Sequence, residues 1–219
     1  SDVRESYFQT VFSLLGNLAK ADGRISEAEI ALAEALMRKM DLSSAHRREA
    51  IEQFKGGAKD DFSLDKTLDS FMAVCGRQAN LKRSLLNDLI SLAIADGELH
   101  QAEQDVLRSI AGRLGFSPAL FDQFIAMIKA QAQFKDSNAG GSGARGQATA
   151  TQLSAAYTAL GVKQSNSDSQ IKRAYRKLIS DNHPDKLIGQ GMPEDMVKLA
   201  TERTQEIQKA YELIVTSRK

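Results

Sequence analysis

Prolines stand at only three positions of this 219-residue chain, 118, 184 and 193, so almost nowhere does the sequence forbid a helix. Between them Ala, Leu, Lys, Glu and Gln recur at helical spacing, aromatic residues make up 6%, and no alternating strand pattern competes, which predicts an all-α fold. Each proline also marks a helix boundary. Pro118 follows the capping residue Ser117, and Pro193 precedes Glu194 and Asp195 in a favourable first turn. Pro184 disfavours helical geometry at His183 and ends the helix before it.

With 42% hydrophobic and 26% charged residues the chain has material for a sizeable core. The single Cys75 permits no intramolecular disulfide and reads as a small buried hydrophobe. His46, His100 and His183 are too scattered to give a zinc pattern. The apolar stretches are too short and too often broken by charge to span a bilayer, and no signal peptide precedes them, so the chain reads as soluble. It begins Ser1-Asp2 without methionine, which leaves room for a longer natural protein whose N-terminal anchor is absent here. No nucleophile-base pairing, glycine-rich phosphate loop or HExxH motif occurs, so neither enzymatic activity nor a cofactor is expected.

The stretch "KDSNAGGSGARGQATAT" interrupts all periodicity and reads as a flexible linker, giving domains at 1–135 and 151–219 with 136–150 between them. A random coil of that length spans about 20–25 Å, enough for two halves to fold and move independently. Charge divides there too: residues 1–135 carry 17 Lys and Arg against 19 Asp and Glu, and the remainder 12 against 9. Neither half has the positive bias of a dedicated nucleic-acid binder.

Residues 18–40, "LAKADGRISEAEIALAEALMRKM", align with 92–114, "LAIADGELHQAEQDVLRSIAGRL", with seven identities. In each copy one helix ends at Ala-Asp-Gly, with Gly23 or Gly97 suited to the left-handed position, and another begins soon after. Ser26 and Glu29 make a capping box; His100 replaces the serine in the second copy and weakens the cap. Roughly seven helices in two related halves follow. This pattern resembles the tellurite-resistance TerB-like helical domain over most of residues 5–134. The acidic groups near the two turns, Asp22, Glu27 and Glu29 with Asp96, Glu98 and Glu103, can be read in two ways. They are cap and turn residues favoured by the helix dipole, or Asp22, Glu29, Asp96 and Glu103 gather hard oxygens around a divalent cation.

From Leu153 onward the chain reads as three helices, "LSAAYTALGV", "SDSQIKRAYRKLISDN" and "PEDMVKLATERTQEIQKAYELIV", with residues 186–195 as a loop. Ser167 and Gln170 form a capping box for the second. On it Ile171, Ala174, Tyr175, Leu178 and Ile179 share one face, while Lys172, Arg173, Arg176 and Lys177 project oppositely. The third helix offers a facing stripe of Leu199, Ala200, Ile207, Ala210, Tyr211 and Ile214, with Arg203 included by its stem. His183, Pro184 and Asp185 are thrust out at the end of a basic helix.

The order and spacing of "YTALGV", "IKRAYRKL", "HPDK" and "QEIQKAYELI" resemble the J domain of DnaJ-type co-chaperones over residues 153–216. That resemblance implies a helical hairpin whose tripeptide, His183, Pro184 and Asp185, docks on a DnaK-type chaperone ATPase and promotes ATP hydrolysis. Lys172, Arg173, Arg176, Lys177 and Lys186 would guide the encounter. Two departures stand out: Asn182 where an aromatic commonly precedes the histidine, and Thr204 where a core aromatic is frequent. A TerB-like domain, a glycine-rich linker and a terminal J domain together resemble a family of membrane-anchored bacterial co-chaperones, which implies a place on the cytoplasmic face of the inner membrane. The N-terminal domain would then target the protein or bind an unfolded or specific client. The alternative is a cation- or stress-responsive interaction protein whose first domain senses and whose J domain recruits. Nucleic-acid binding ranks last, since the basic face lacks stacking aromatics.

Overall fold

The computed structural model describes residues 2–23, 25–95, 98–135 and 148–219, and every regular element among them is helical. Helix α1 (Val3–Ala19) begins where the Asp2 carboxylate accepts the Arg4 N–H at 3.3 Å. Its large residues Tyr7, Phe8, Val11, Phe12, Leu14, Leu15 and Leu18 are buried, and its small ones, Ser6, Thr10, Ser13 and Gly16, are buried too. A helix apolar or small on every side belongs at the centre of its bundle. Around it lie α2 (Glu27–Lys39), α3 (Ser44–Gly57), α4 (Leu64–Cys75), α5 (Ala79–Ala93), α6 (Gln101–Arg113) and α7 (Pro118–Ala132). The seven helices match the count read from the sequence, and Cys75 is fully buried as expected.

The repeat is visible as α1–turn–α2 and α5–turn–α6. In the first copy Gly23 takes the left-handed position with φ 112°, and the Ser26–Glu29 capping box forms. In the second, Gly97 lies outside the described residues, and the half of the box carried by Glu103 persists: its Oε2 accepts the His100 N–H at 3.2 Å.

Most of the expected linker, residues 136–147, also lies outside the described residues. The chain resumes with Thr149 capping α8 (Ala150–Ala159), its hydroxyl accepting the Gln152 N–H at 3.2 Å. Helix α9 (Asp168–Asp181) and helix α11 (Val197–Ser217) form the expected antiparallel pair, Tyr175 stacking on Tyr211 with centroids 4.0 Å apart. Between them the structure differs from the sequence reading. Residues 186–195 are not all loop, because Pro184 starts a short helix, α10 (Pro184–Gly189), and a 3-10 turn (Glu194–Met196) leads into α11. Proline's fixed φ and missing N–H suit the first position of a helix, so the residue that ends α9 also begins α10. At the far end Arg218 ties α11 to the α8–α9 connection through Asp168 (2.7 Å) and the carbonyls of Gln164 and Asn166.

The buried apolar residues form two clusters, and neither stops at the linker. Leu187, Met192, Met196 and Ala200 join the core built around α1, while Ala130 and Phe134 join that of α8, α9 and α11. The sequence reading of separate apolar stripes did not include this interface. Leu187 and Met192 come from a stretch that reads locally as loop, and Ala200 from the stripe assigned to face α9.

Two glycines bring the backbones of α1 and α3 close together. A Cβ placed on Gly16 would lie 1.9 Å from the Phe54 carbonyl oxygen, and one on Gly57 would lie 1.8 Å from that of Ser13. Neither obstacle is a side chain that can swing aside. Overpacking a well-filled core costs about 1–3 kcal/mol, and a clash with backbone belongs at or beyond the upper end. Gly57→Ala should therefore lower the unfolding free energy by about 3 kcal/mol in a urea titration, whereas Gly112→Ala, with nothing within 4 Å, should be neutral or stabilising.

Candidate functional site

Helix α9 starts with the predicted capping box: the Ser167 hydroxyl accepts the Gln170 N–H at 3.2 Å, and the Gln170 side chain accepts that of Ser167 at 2.9 Å. Ile171 is buried, while Lys172, Arg173, Arg176 and Lys177 are exposed. The structure separates these cations into two groups. Lys177 pairs with Asp181 at 2.7 Å and Lys186 approaches the same carboxylate at 3.9 Å. Lys172, Arg173 and Arg176 have no ion pair among the described residues.

The tripeptide follows directly. His183 is the N-cap of α10, its Nδ1 accepting the Asp185 N–H at 3.2 Å. Acceptance there places the neutral ring's proton on Nε2. Pro184 occupies the first helical position and is half-buried, and both His183 and Asp185 are exposed. One ring nitrogen is thus committed to holding the turn, while Asp185 is exposed just beyond the end of α9.

Beneath the corner lies a polar network. Asn182 is 4% exposed; its Nδ2 donates to the Leu178 carbonyl at 2.8 Å, and its Oδ1 accepts from Arg203 Nη1 at 3.0 Å. The other arm of Arg203 is ion-paired with Asp88 on α5, and Asp88 also accepts the Tyr7 hydroxyl at 2.9 Å. Burial raises the Asp88 carboxyl above its usual range, with the Arg203 guanidinium opposing the rise. The Tyr7 phenol is held well above its usual value, first by burial and then by the charge of Asp88, so it stays a donor. Thr204, the second departure from the J-domain pattern, donates to the Ala200 carbonyl at 2.8 Å and lies 3.5 Å from that of Asn182. The two departures are neighbours: a polar arrangement fills the place of an aromatic contact. Arg203 and Asp88 are what sequence reasoning missed. The signal was present as two opposite charges inside apolar helical stripes.

A cavity of about 360 Å³ adjoins this network, lined by Leu15, Leu36, Leu92 and Leu199 and by the charged Lys39, Glu202 and Glu206 among others. Burial pushes the Glu206 carboxyl up to about 7, against the opposing charges of Arg203, Lys135 and Lys39. Glu29 and Glu103 line the same cavity, while Asp22 is exposed on its turn and Asp96 lies outside the described residues. Among the described residues no three His, Cys, Asp or Glu side chains are grouped as metal ligands. Glu29 is occupied with its cap, accepting from the Ser26 N–H at 2.6 Å.

Residues 9–126 match the family "Tellurite resistance protein TerB" and residues 155–219 match "DnaJ domain". The "Co-chaperone protein DjlA" of Escherichia coli (strain K12) is 42% identical over 212 residues, 95% of this chain and 78% of that protein. The chain belongs to the DjlA co-chaperone family. The DjlA proteins of Aliivibrio fischeri and Haemophilus influenzae are each 38% identical, over 95% and 96% of the chain and 77% and 79% of their own lengths. No solved structure gives a significant match. In DjlA terms, the interface just described lies where the TerB match and the J-domain match meet.

The raised Glu206 carboxyl sets a pH dependence. Between its ordinary value of 4.5 and about 7 the folded state holds a proton that the unfolded chain releases, so stability falls as pH rises through that window. Urea unfolding of the wild type between pH 5 and pH 8 should therefore show a steeper loss of stability than Glu206→Gln. Equal slopes would show that Glu206 titrates as it does in the unfolded chain.

Proposed function

We propose that this chain is a co-chaperone that docks onto a DnaK-type chaperone ATPase through the His183-Pro184-Asp185 corner and stimulates its ATP hydrolysis. The observation that carries the reading is the corner itself: a tripeptide pinned by its own cap and by proline, with imidazole and carboxylate left to solvent at the end of a basic helix. Side chains held in place without a core to fill are arranged for a partner. Lys172, Arg173 and Arg176 steer the encounter, with Lys177 and Lys186 partly neutralised by Asp181. The chain contributes contact and geometry, and the bond chemistry belongs to the ATPase. Its TerB-like part targets the protein or holds an unfolded or specific client. The proposed location is the cytoplasmic face of the bacterial inner membrane; among the described residues no helix is long and apolar enough to cross a membrane.

A single-turnover ATPase assay of a DnaK-type protein with and without this chain tests the reading. Wild type should accelerate hydrolysis. Asp185→Asn should lose roughly thirtyfold or more, because removing one member of a desolvated interfacial contact costs about 2–5 kcal/mol, and its melting temperature should barely move. Arg173→Glu with Arg176→Glu should instead slow association roughly tenfold at low salt, a difference that shrinks as salt rises. Normal stimulation by folded Asp185→Asn would refute the assignment.

A further inference from the structure

The two residues that precede His183 are both held by helix α5 of the TerB-like part. Arg83 on α5 reaches Asp181 at 3.1 Å, and Asp88 on the same helix reaches Asn182 through Arg203. Arg83 and Asp88 are five residues apart, about 140° around the helix; the first reaches the end of α9 directly and the second through Arg203 on α11. Asp181 is largely buried, its side chain 14% exposed, and Asn182 and Arg203 are 4% and 5% exposed.

The geometry of the corner has two separate parts. Its internal shape is local: Pro184 fixes one torsion, and the His183–Asp185 cap fixes the turn. Its direction relative to the basic face of α9 is another matter, because α9 ends at Asn182, where φ −103° and ψ 6° leave the helix. A rotation there swings the whole tripeptide. Backbone bonds from Asn182 to Leu178 and from His183 to Ser180 close the last turn of α9, and the Asn182 side chain adds bonds to Leu178 within α9 and to Arg203 on α11 that oppose such a rotation. Arg203 is in turn oriented by Asp88, with Tyr7 of α1 on the far carboxylate oxygen. On the other side of the corner Leu187 of α10, fully buried, sits in the core of the TerB-like part.

We propose that α5 of the TerB-like domain is a positioning element for the His183-Pro184-Asp185 corner, with Arg83 setting Asp181 and Asp88 setting Asn182 through Arg203. The domain would thereby control how well an encounter with the ATPase becomes productive. This inference rests on the co-chaperone reading for its functional consequence. Arg83 and Asp88 touch no partner in this scheme; they act through the two residues before the histidine.

The test uses the whole chain with Arg83→Ala, Arg83→Lys and Asp88→Asn. Two quantities are read: maximal stimulation of a DnaK-type ATPase at saturating co-chaperone, and the nuclear magnetic resonance positions of the Asp185 amide and the His183 ring. Arg83→Ala and Asp88→Asn should each lower maximal stimulation roughly two- to thirtyfold, the range of couplings carried through intervening residues, and should shift both resonances. The association rate at low salt, steered by the free cations of α9, should stay the same, and Arg83→Lys should restore both readouts. Should Asp88→Asn fail to fold, the partly exposed Arg83 still decides the matter. Unshifted resonances in Arg83→Ala would overturn the proposal, whether or not stimulation falls, since a fall alone makes Arg83 a partner contact. Shifted resonances with full stimulation would overturn it as well. If wild type gives no stimulation, the co-chaperone reading fails, and the positioning claim is then judged on the Asp185 and His183 resonances alone.

Discussion

The buried pair of Arg203 and Asp88 is the constraint around which the rest of the interface is organised. Each charge has been taken out of water, at 5% and 1% exposure, and either one left alone would destabilise the fold by about 3–5 kcal/mol. The pair alone does not complete the arrangement, since its remaining donors and acceptors need partners. Tyr7 supplies one and Asn182 supplies another, so α1, α5, α9 and α11 meet at one polar node. A buried ion pair can add little net stability over a well-packed apolar contact, but it admits few alternative arrangements. Here the arrangement it selects places the end of α9 against α5.

The apolar surfaces around the node are consistent with that selection. Leu187, Met192, Met196 and Ala200 fill space against the α1 bundle, and the turn at Gly191, with φ 106°, runs so near Val3 that a Cβ would come within 2.6 Å of its side chain. Hydrophobic contact supplies most of the cohesion, while the polar node sets the register. The short α10 belongs to both halves in this sense: its first residues face solvent, and its middle is buried in the first domain's core.

Much of this was legible in the sequence. Helical periodicity with punctuating prolines and serine caps located most elements, because amphipathic spacing and cap chemistry are local properties. The tripeptide, its basic helix and the resemblance to TerB-like and J domains led to the family that the comparisons then showed. What stayed hidden was long-range. Asp88 in "LLNDLI" and Arg203 in "LATERTQEI" each violate an apolar stripe, yet nothing local says that they answer one another across 115 positions. Asn182 and Thr204 were visible as departures, but only the fold shows that they adjoin Arg203. Residues 186–195 read as loop because a six-residue helix is too short to display a period. The proposed cation ligands illustrate the converse: Glu29 and Glu103 line one cavity, but the side chain of Glu29 serves the turn beside it.

Asp88 and Arg203 form a coupled unit across the two halves of the chain. A double-mutant cycle with Asp88→Asn and Arg203→Met, read by urea unfolding of the full chain, measures that coupling. Each single variant leaves a buried group without its partner, so the double variant should lose much less than the sum of the two, by about 1–3 kcal/mol. Losses that add to within about 0.5 kcal/mol would contradict the claim.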